Sequence, residues 1–295
     1  MTSGIVLIQG PQRYAVNGTG QTSDAFSLTN TPTQGNLLIL TFAQYSSTGN
    51  IIDHITETNV TWTRQIYEWD SSGGLRSEIW VGVVGASPSK DITVTYDKAQ
   101  TNHASRGDIF NIAEWAGLET SGFLDKTGVN NASAATGTTA TTTVNTELCI
   151  GSICIYDYSQ TNPTNGFTLF DGVKDGGRYF SGSHLYYIQS ATDARSCAVT
   201  AAGSAYWSGC IATFKGKPYI AGVTRDANGA VLGGCTVYLF KTSDKSYIGT
   251  TTSDAITGVY ILYVADVSST AYFITALKDG SPNVMGITDD NLVGA

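Results

Sequence analysis

The chain has 295 residues and a formal net charge of −8, from 16 basic and 24 acidic side chains. Only 14% of its residues are charged and 41% are hydrophobic, a balance that excludes an intrinsically disordered chain. The acidic character and the lack of any basic run argue against nucleic acid as a partner, and no apolar stretch of about 18 residues predicts insertion into a membrane.

Short runs rich in β-branched and aromatic residues, bounded by Gly, Asn, Asp, Ser or Pro, predict strands along most of the chain. Up to the first break in this pattern the runs are 4–9, 24–28, 36–44, 61–69, 75–84, 91–96, 108–115, 147–156, 166–172, 179–189, 194–201 and 206–214. Ile79, Val81 and Val83 alternate as a sheet with one wet face requires, and a helical period fits only 99–105 and 113–120. Strands that follow one another without helices predict an all-β fold, a large antiparallel β-sandwich of jelly-roll-like type.

The segment from Lys215 to Pro218 contains Gly and Pro, and it predicts a boundary between a domain of residues 1–216 and a domain of residues 217–295. Beyond it, strands are predicted at 219–224, 236–241, 247–252, 258–264 and 271–278, with a short terminal piece. Asn228-Gly229 predicts a tight turn with positive φ at both residues, and Gly258 is expected to adopt positive φ as well. So many short strands in so few residues predict a small Ig-like β-sandwich.

Three motifs of the second domain carry a family resemblance. They are Asp226-Ala-Asn-Gly229, Leu232-Gly-Gly-Cys-Thr-Val-Tyr-Leu-Phe240 and Asp254-Ala-Ile-Thr-Gly258-Val-Tyr260. Together they resemble the carboxypeptidase regulatory-like, or transthyretin-like, sandwich. The chain's ending, from Ala276 through Gly280-Ser-Pro-Asn-Val284 to Gly294, is similar to the C-termini of tailed-bacteriophage structural proteins.

The first domain is similar to a jelly-roll-like domain of phage virion proteins and some bacterial surface proteins. The similarity is carried by Thr33-Gln-Gly35-Asn36, Ile79-Trp80, Glu114-Trp115-Ala-Gly117 and Ala212-Thr-Phe214. Both resemblances imply a non-enzymatic virion component, in capsid decoration or in the tail or fibre. Its partners would be other virion proteins and copies of itself. The N-terminus lacks the features of a signal peptide, which fits a protein made in the host cytoplasm and carried out on the virion.

The cysteines and histidines predict neither a metal site nor a cofactor, because none lies at a ligand spacing. The five cysteines are Cys149, Cys154, Cys197, Cys210 and Cys235. Their odd number, without a signal peptide, predicts free and buried thiols. Cys149 and Cys154 are expected on opposite faces of one strand, whereas Cys197 and Cys210 lie in neighbouring runs that can approach each other.

The densest acidic cluster is Asp108, Glu114 and Glu119, next to Trp115. Two carboxylates beside a tryptophan are typical of a glycosidase acid pair. Adjacent residues of a strand face opposite ways, however, which favours a structural carboxylate at Glu114 and a core ring at Trp115. His184 has no nucleophile motif around it and is interpreted as a polar strand residue. We therefore predict no enzyme activity.

Aromatic side chains are the stronger candidates for a binding site. Trp62, Tyr67, Trp69 and Trp80 fall in two adjacent predicted strands, and Tyr67 shares a face with Trp69. Rings of this kind either fill the core or stack on sugar rings. The candidates for a contact with a glycan or with another subunit are Tyr67, Trp69, Tyr158 and Tyr186. The alternative function is therefore a carbohydrate-binding adhesin that attaches to a host surface glycan.

Residues 130–145 form a Ser-, Thr-, Ala- and Gly-rich stretch. The composition predicts either an exposed β-edge or a loop that pairs with a neighbouring chain.

Overall fold

The computed structural model describes residues 4–16, 20–45, 51–99, 107–174, 178–203, 206–265, 270–280, 284–287 and 292. These ranges contain nineteen strands and no helix, which confirms the predicted all-β antiparallel architecture. The chain forms two compact units. One is residues 5–216, and the other is residues 217–295 together with Gly4.

The larger unit contains thirteen strands in chain order. They are β1 (Val6–Val16), β2 (Ser23–Ser27), β3 (Leu37–Tyr45), β4 (Ile52–Thr56), β5 (Val60–Asp70), β6 (Leu75–Val84), β7 (Asp91–Tyr96), β8 (Gly107–Ala116), β9 (Leu124–Asn130), β10 (Glu147–Tyr156), β11 (Thr168–Asp171), β12 (Phe180–Gln189) and β13 (Trp207–Lys215).

These strands form three layers. The central sheet has the order β1-β8-β3-β6-β5, and a second five-stranded sheet, β11-β12-β10-β13-β9, covers one of its faces. Ile79 and Trp115 of the central sheet pack there against Ile150 and Phe214. The three-stranded sheet β2-β7-β4 covers the other face with a second apolar cluster.

The alternation in β6 does not mark a wet face. Ile79 and Val81 face the second five-stranded sheet, but Trp80 and Val84, on the opposite face, are buried in the cluster under the three-stranded sheet. The central strands are apolar on both sides because both sides are covered.

Along β1 to β8 the chain alternates between the central sheet and the three-stranded sheet, which takes β2, β4 and β7. The second five-stranded sheet is built from one continuous part of the chain, β9 to β13. This arrangement of three sheets does not confirm the predicted jelly roll, which has two.

Residues 131–145 contact their own chain and form no strand at the edge of a sheet, so the exposed β-edge is not observed, while pairing of this loop with a neighbouring chain stays a prediction. Three threonines spaced three residues apart are buried, and each makes a reciprocal pair of hydrogen bonds with a residue near the end of the second sheet. The backbone N–H donates to the partner's carbonyl, and the hydroxyl accepts from the partner's N–H. The pairs are Thr136–Cys197, Thr139–Arg195 and Thr142–Asp193, with N···O distances between 2.8 and 3.2 Å.

Three further differences separate the predicted elements from the observed ones. Strands β4 and β9 were not predicted, and 194–201 forms only isolated bridges through Ala198 and Thr200. The possible helix at 113–120 begins inside β8, while most of 99–105 lies outside the described residues.

All five cysteines are free and buried, as predicted. Cys149 and Cys154 lie on opposite faces of β10 and belong to different apolar clusters. Cys197 and Cys210 also belong to different clusters, and they form no disulfide.

The smaller unit contains β14 (Tyr219–Val223), β15 (Thr236–Lys241), β16 (Tyr247–Thr252), β17 (Val259–Tyr263), β18 (Tyr272–Lys278) and β19 (Val284–Ile287). The sheets β14-β17 and β16-β15-β18-β19 share a core around Val237, Leu239 and Ile274. In the Asn228-Gly229 turn only the glycine has positive φ, and the Asp226 carboxylate accepts the N–H groups of Asn228 and Ala230.

Gly258 has the expected positive φ, 65°, at the end of a turn in which the Asp254 carboxylate accepts the N–H groups of Ile256 and Thr257. A Cβ there would lie 2.9 Å from the carbonyl oxygen of Thr224.

We expect Gly258→Val to lower the free energy of unfolding of the smaller unit by about 1–3 kcal/mol, because the side chain strains the turn and contacts backbone. Thermal unfolding followed by circular dichroism measures this. The control is Gly249→Val in β16, where a Cβ would have no neighbour within 4 Å. Equal stability of the two variants would contradict the strained turn.

Candidate functional site

The candidate site lies at the edge of the central sheet, on the face of β5 and β6 that carries Trp80, where a β-bulge determines which side chains meet. Arg64 pairs with Trp80 and Ile66 pairs with Ile79, so β5 has one extra residue between these pairs. Strict alternation would place Arg64 and Tyr67 on opposite faces of the sheet. The bulge brings them to the same face.

The Tyr67 ring is in contact with two guanidinium groups. The Cζ atom of Arg64 is 4.8 Å from the centroid of the Tyr67 ring, and the Cζ atom of Arg76 is 4.5 Å from it. Trp69 pairs with Arg76 one step along the same face. Tyr67 is 47% exposed and Trp69 is 38% exposed. We call these four residues, together with Glu78 and Trp80, the aromatic platform.

Glu78 holds the charged and aromatic side chains of the platform in place. It is fully buried, forms an ion pair with Arg76, and accepts a hydrogen bond of 2.6 Å from the indole N–H of Trp80. Arg64 lies 3.8 Å from the same carboxylate. Two guanidinium groups and one carboxylate leave one net positive charge beside two exposed rings. This surface can stack a flat apolar face and donate hydrogen bonds to hydroxyl or carboxylate oxygens.

The other two candidate aromatics lie elsewhere. Tyr158 follows β10 and is partly exposed, and its carbonyl accepts a hydrogen bond from the Ser181 hydroxyl. Tyr186, in β12, is half-buried and packs edge-on against Trp115, with ring centroids 5.4 Å apart. The structure therefore brings Tyr67 and Trp69 together, and it places Tyr186 against the core between the two five-stranded sheets.

The acidic cluster of the sequence is separated in the fold. Glu114 is buried and accepts hydrogen bonds from Gln9, Asn36 and the backbone N–H of Thr33. Asp108 lies six residues away on the same strand face, which is roughly 20 Å. A glycosidase pair requires carboxyl groups about 5 to 9.5 Å apart. Trp115 is a buried core residue, as the structural interpretation predicted.

His184 is a fully buried core residue between the two large sheets. Its Nδ1 lies 3.3 Å from the Thr41 hydroxyl. Burial lowers the pKa of the imidazole to about 3, although the backbone of Asn111 raises it. The ring is therefore neutral across the physiological range.

Within the described ranges, no group of three or more His, Cys, Asp or Glu side chains is arranged to hold a metal ion. The part of the chain that the structure describes also has no helix that could span a membrane.

Searches against protein-family models, curated proteins and solved structures found no match for this chain. The tailed-phage and transthyretin-like resemblances therefore stay predictions.

The sequence indicated the two exposed rings but missed the charged part of the platform. Arg64, Arg76 and Glu78 looked like ordinary charged residues of two strands. These three side chains come together with Tyr67 only because of the bulge after Arg64, and no residue pattern in β5 predicts that bulge.

Glu57 lies beside the platform and hydrogen-bonds the indole N–H of Trp62 at 3.1 Å. Burial raises the pKa of Glu57 from 4.5 to about 7, and the charges of Asp91 and Glu114 raise it further, against the Trp62 hydrogen bond that lowers it. Because the folded-state pKa is raised, the protein loses stability as the pH rises from about 4.5 through about 7.

We expect Glu57→Gln to remove this loss while keeping an acceptor for Trp62. The difference in free energy of unfolding between the variant and the wild type should favour the variant more at pH 8 than at pH 4. Urea unfolding of both proteins at both pH values measures this. Glu68→Gln, at a partly exposed position of β5, is the control and should show no such pH-dependent difference. A Glu57→Gln effect of equal size at both pH values would refute the raised pKa.

Proposed function

We propose that this protein is a non-enzymatic structural component of a phage virion that acts by protein–protein assembly, with its smaller unit as the assembling part. The observation that supports assembly is a contrast between the edge strands of the two units. The resemblances of the sequence to phage structural proteins support the virion as the location.

Edge strands of the larger unit all carry charged residues. Free edges can pair with other chains, and charges, Pro and bulges prevent this. β1 contains Pro11, Arg13 and two irregularities of register. β5 and β9 each contain charged residues and a bulge, and the short β2, β4 and β11 each contain Asp.

Edge strands of the smaller unit have no such protection by charge. β14, β16, β17 and β19 contain no Asp, Glu, Lys or Arg. Tyr247 and Ile248 of β16 are 56% and 42% exposed, and Val223 and Tyr263 are also exposed. Uncharged strand edges with exposed apolar side chains are suited to strand addition by a neighbouring chain.

We expect the wild-type chain to self-associate and the double variant Ile248→Lys/Thr252→Lys to be monomeric, because two charges on β16 oppose strand pairing. Size-exclusion chromatography with light scattering over a range of concentrations measures this. Ile8→Lys is the matched control. It adds a charge at an exposed position of β1, an edge already protected, and should leave the assembly unchanged.

Labelling of purified particles with an antibody against the chain tests the location. A wild-type chain that is monomeric at every concentration and absent from particles would overturn the proposal.

The aromatic platform favours a second candidate function, a carbohydrate-binding adhesin for host attachment. Exposed Tyr67 and Trp69 offer ring faces to a sugar, and the partly exposed Arg64 offers donors to its oxygens, whereas Arg76 is buried in its ion pair with Glu78. The net positive charge of the platform favours acidic sugars.

If the platform binds a glycan, Trp69→Ala should weaken binding on the order of tenfold, which corresponds to the loss of about 1.5 kcal/mol of ring contact. An array of neutral and acidic host surface glycans identifies a ligand, and calorimetry measures the change. Tyr247→Ala is the control because it removes an exposed ring from the other unit. Unchanged affinity in Trp69→Ala would exclude the platform as the binding site.

A further inference from the structure

A second bulge, in β9, gathers charged groups at one end of the second large sheet. Thr127 pairs with Ala212 and Leu124 pairs with Phe214, so both Asp125 and Lys126 lie opposite Thr213. The Lys126 ammonium is 3.4 Å from the Asp125 carboxylate, and the Lys126 backbone N–H donates to the Thr213 hydroxyl at 3.1 Å.

The Asp125 side chain is buried, with only 4% of its surface exposed, and Thr143 donates hydrogen bonds to both of its carboxylate oxygens. Oδ2 accepts the backbone N–H of Thr143 at 2.6 Å, and Oδ1 accepts the Thr143 hydroxyl at 2.7 Å. Lys215, the last residue of β13, places its ammonium 4.0 Å from Oδ1. An amine and a carboxyl carbon on neighbouring strands are thus within reach of each other.

A second carboxyl group completes the cluster. Glu147 pairs with Lys215 across β10 and β13 and is fully buried. Neither of its oxygens accepts a hydrogen bond of standard geometry among the described residues. Burial raises the pKa of Glu147 to about 7, and Asp125 raises it further, whereas Thr213 and the backbone of Val144 lower it. A substantial fraction of Glu147 is therefore protonated at neutral pH.

We propose that the folded chain joins Lys215 to Asp125 by an intramolecular amide bond between Nζ and Cγ, with Glu147 transferring the protons. The inference goes beyond the proposed function, because it assigns a covalent reaction to residues that lie outside the aromatic platform and the smaller unit.

The reaction needs no other reactant. A proton passes from the Lys215 ammonium through Glu147 to the Asp125 carboxylate, which gives a neutral amine and a neutral carboxylic acid. This transfer is unfavourable, because burial raises the pKa of Asp125 less than its hydrogen bonds, led by those with Thr143, together lower it, so the neutral pair forms only transiently. The amine nitrogen attacks Cγ, the C–N bond forms, and an electron pair moves onto the oxygen that faces the Thr143 N–H. Glu147 then takes a proton from the nitrogen and gives one to the hydroxyl group. The C–O bond breaks and one water molecule leaves.

The bond would fix β9, a strand at the edge of its sheet, to β13 beside it. It would close a loop from residue 125 to residue 215, which contains most of the second large sheet. A cross-link of this kind constrains the unfolded chain as a disulfide does. It would do so in a protein whose cysteines are all free.

Intact mass spectrometry of the full chain under denaturing conditions tests the proposal. We expect a mass lower than that of the sequence by one water molecule, and a peptide map that contains a branched peptide joining residues 125 and 215. Glu147→Gln and Lys215→Arg should each restore the full mass, with circular dichroism showing that both variants remain folded.

Lys126→Arg is the matched control, because it keeps the charge next to Asp125 and should retain the loss of water. A wild-type chain of full mass would overturn the proposal. Loss of the cross-link in Lys126→Arg, with retention in Lys215→Arg, would overturn the assignment of the nucleophile. Retention in a folded Glu147→Gln would overturn the role of Glu147.

Discussion

The middle strands of the central sheet, β8, β3 and β6, are covered on both faces, and this constraint governs most of the larger unit. The buried polar side chains of these strands need partners inside the protein, because water does not reach them. Glu114 meets this requirement by binding the loop before β3, and Asp108 does so by accepting hydrogen bonds from Gln44 and from Tyr96 of the three-stranded sheet. Asp108 therefore links the central sheet to the three-stranded sheet, and Glu114 fixes the loop before β3.

Two β-bulges produce the two chemically unusual places of the larger unit. In each case one extra residue shifts the alternation of the strand. Side chains that would otherwise lie on opposite faces of the sheet then lie on the same face. In β5 this brings Arg64 to Tyr67, and in β9 it brings Lys126 to Asp125. Each cluster is completed by a fully buried glutamate on a neighbouring or nearby strand, Glu78 or Glu147. A carboxylate without access to water stabilises the cations around it and, where it is protonated, supplies an acid.

The edge strands of the two units differ in charge, and this difference connects the fold with the proposed assembly. In the larger unit the edges combine charge with bulges or short length, and the Thr-rich segment 131–143 packs across the second sheet. In the smaller unit the edges are uncharged and carry exposed apolar side chains. A cross-link between β9 and β13 would add covalent stability to the unit whose edge strands carry charges, and would leave the smaller unit, which we propose as the assembling part, unchanged.

The sequence by itself determined the all-β class, the bounds of most strands, the free and buried cysteines and the positive φ of Gly258. These properties follow from local composition and from turn residues, which act over a few positions. Only the tertiary structure decided that β6 is covered on both faces and that threonines of 130–145 pair with 193–197. It also decided the aromatic platform and the Asp125–Glu147–Lys215 cluster. Each of these depends on the sheet register and on a bulge, and a shift of one residue in register reverses every side chain without changing the pattern of the sequence.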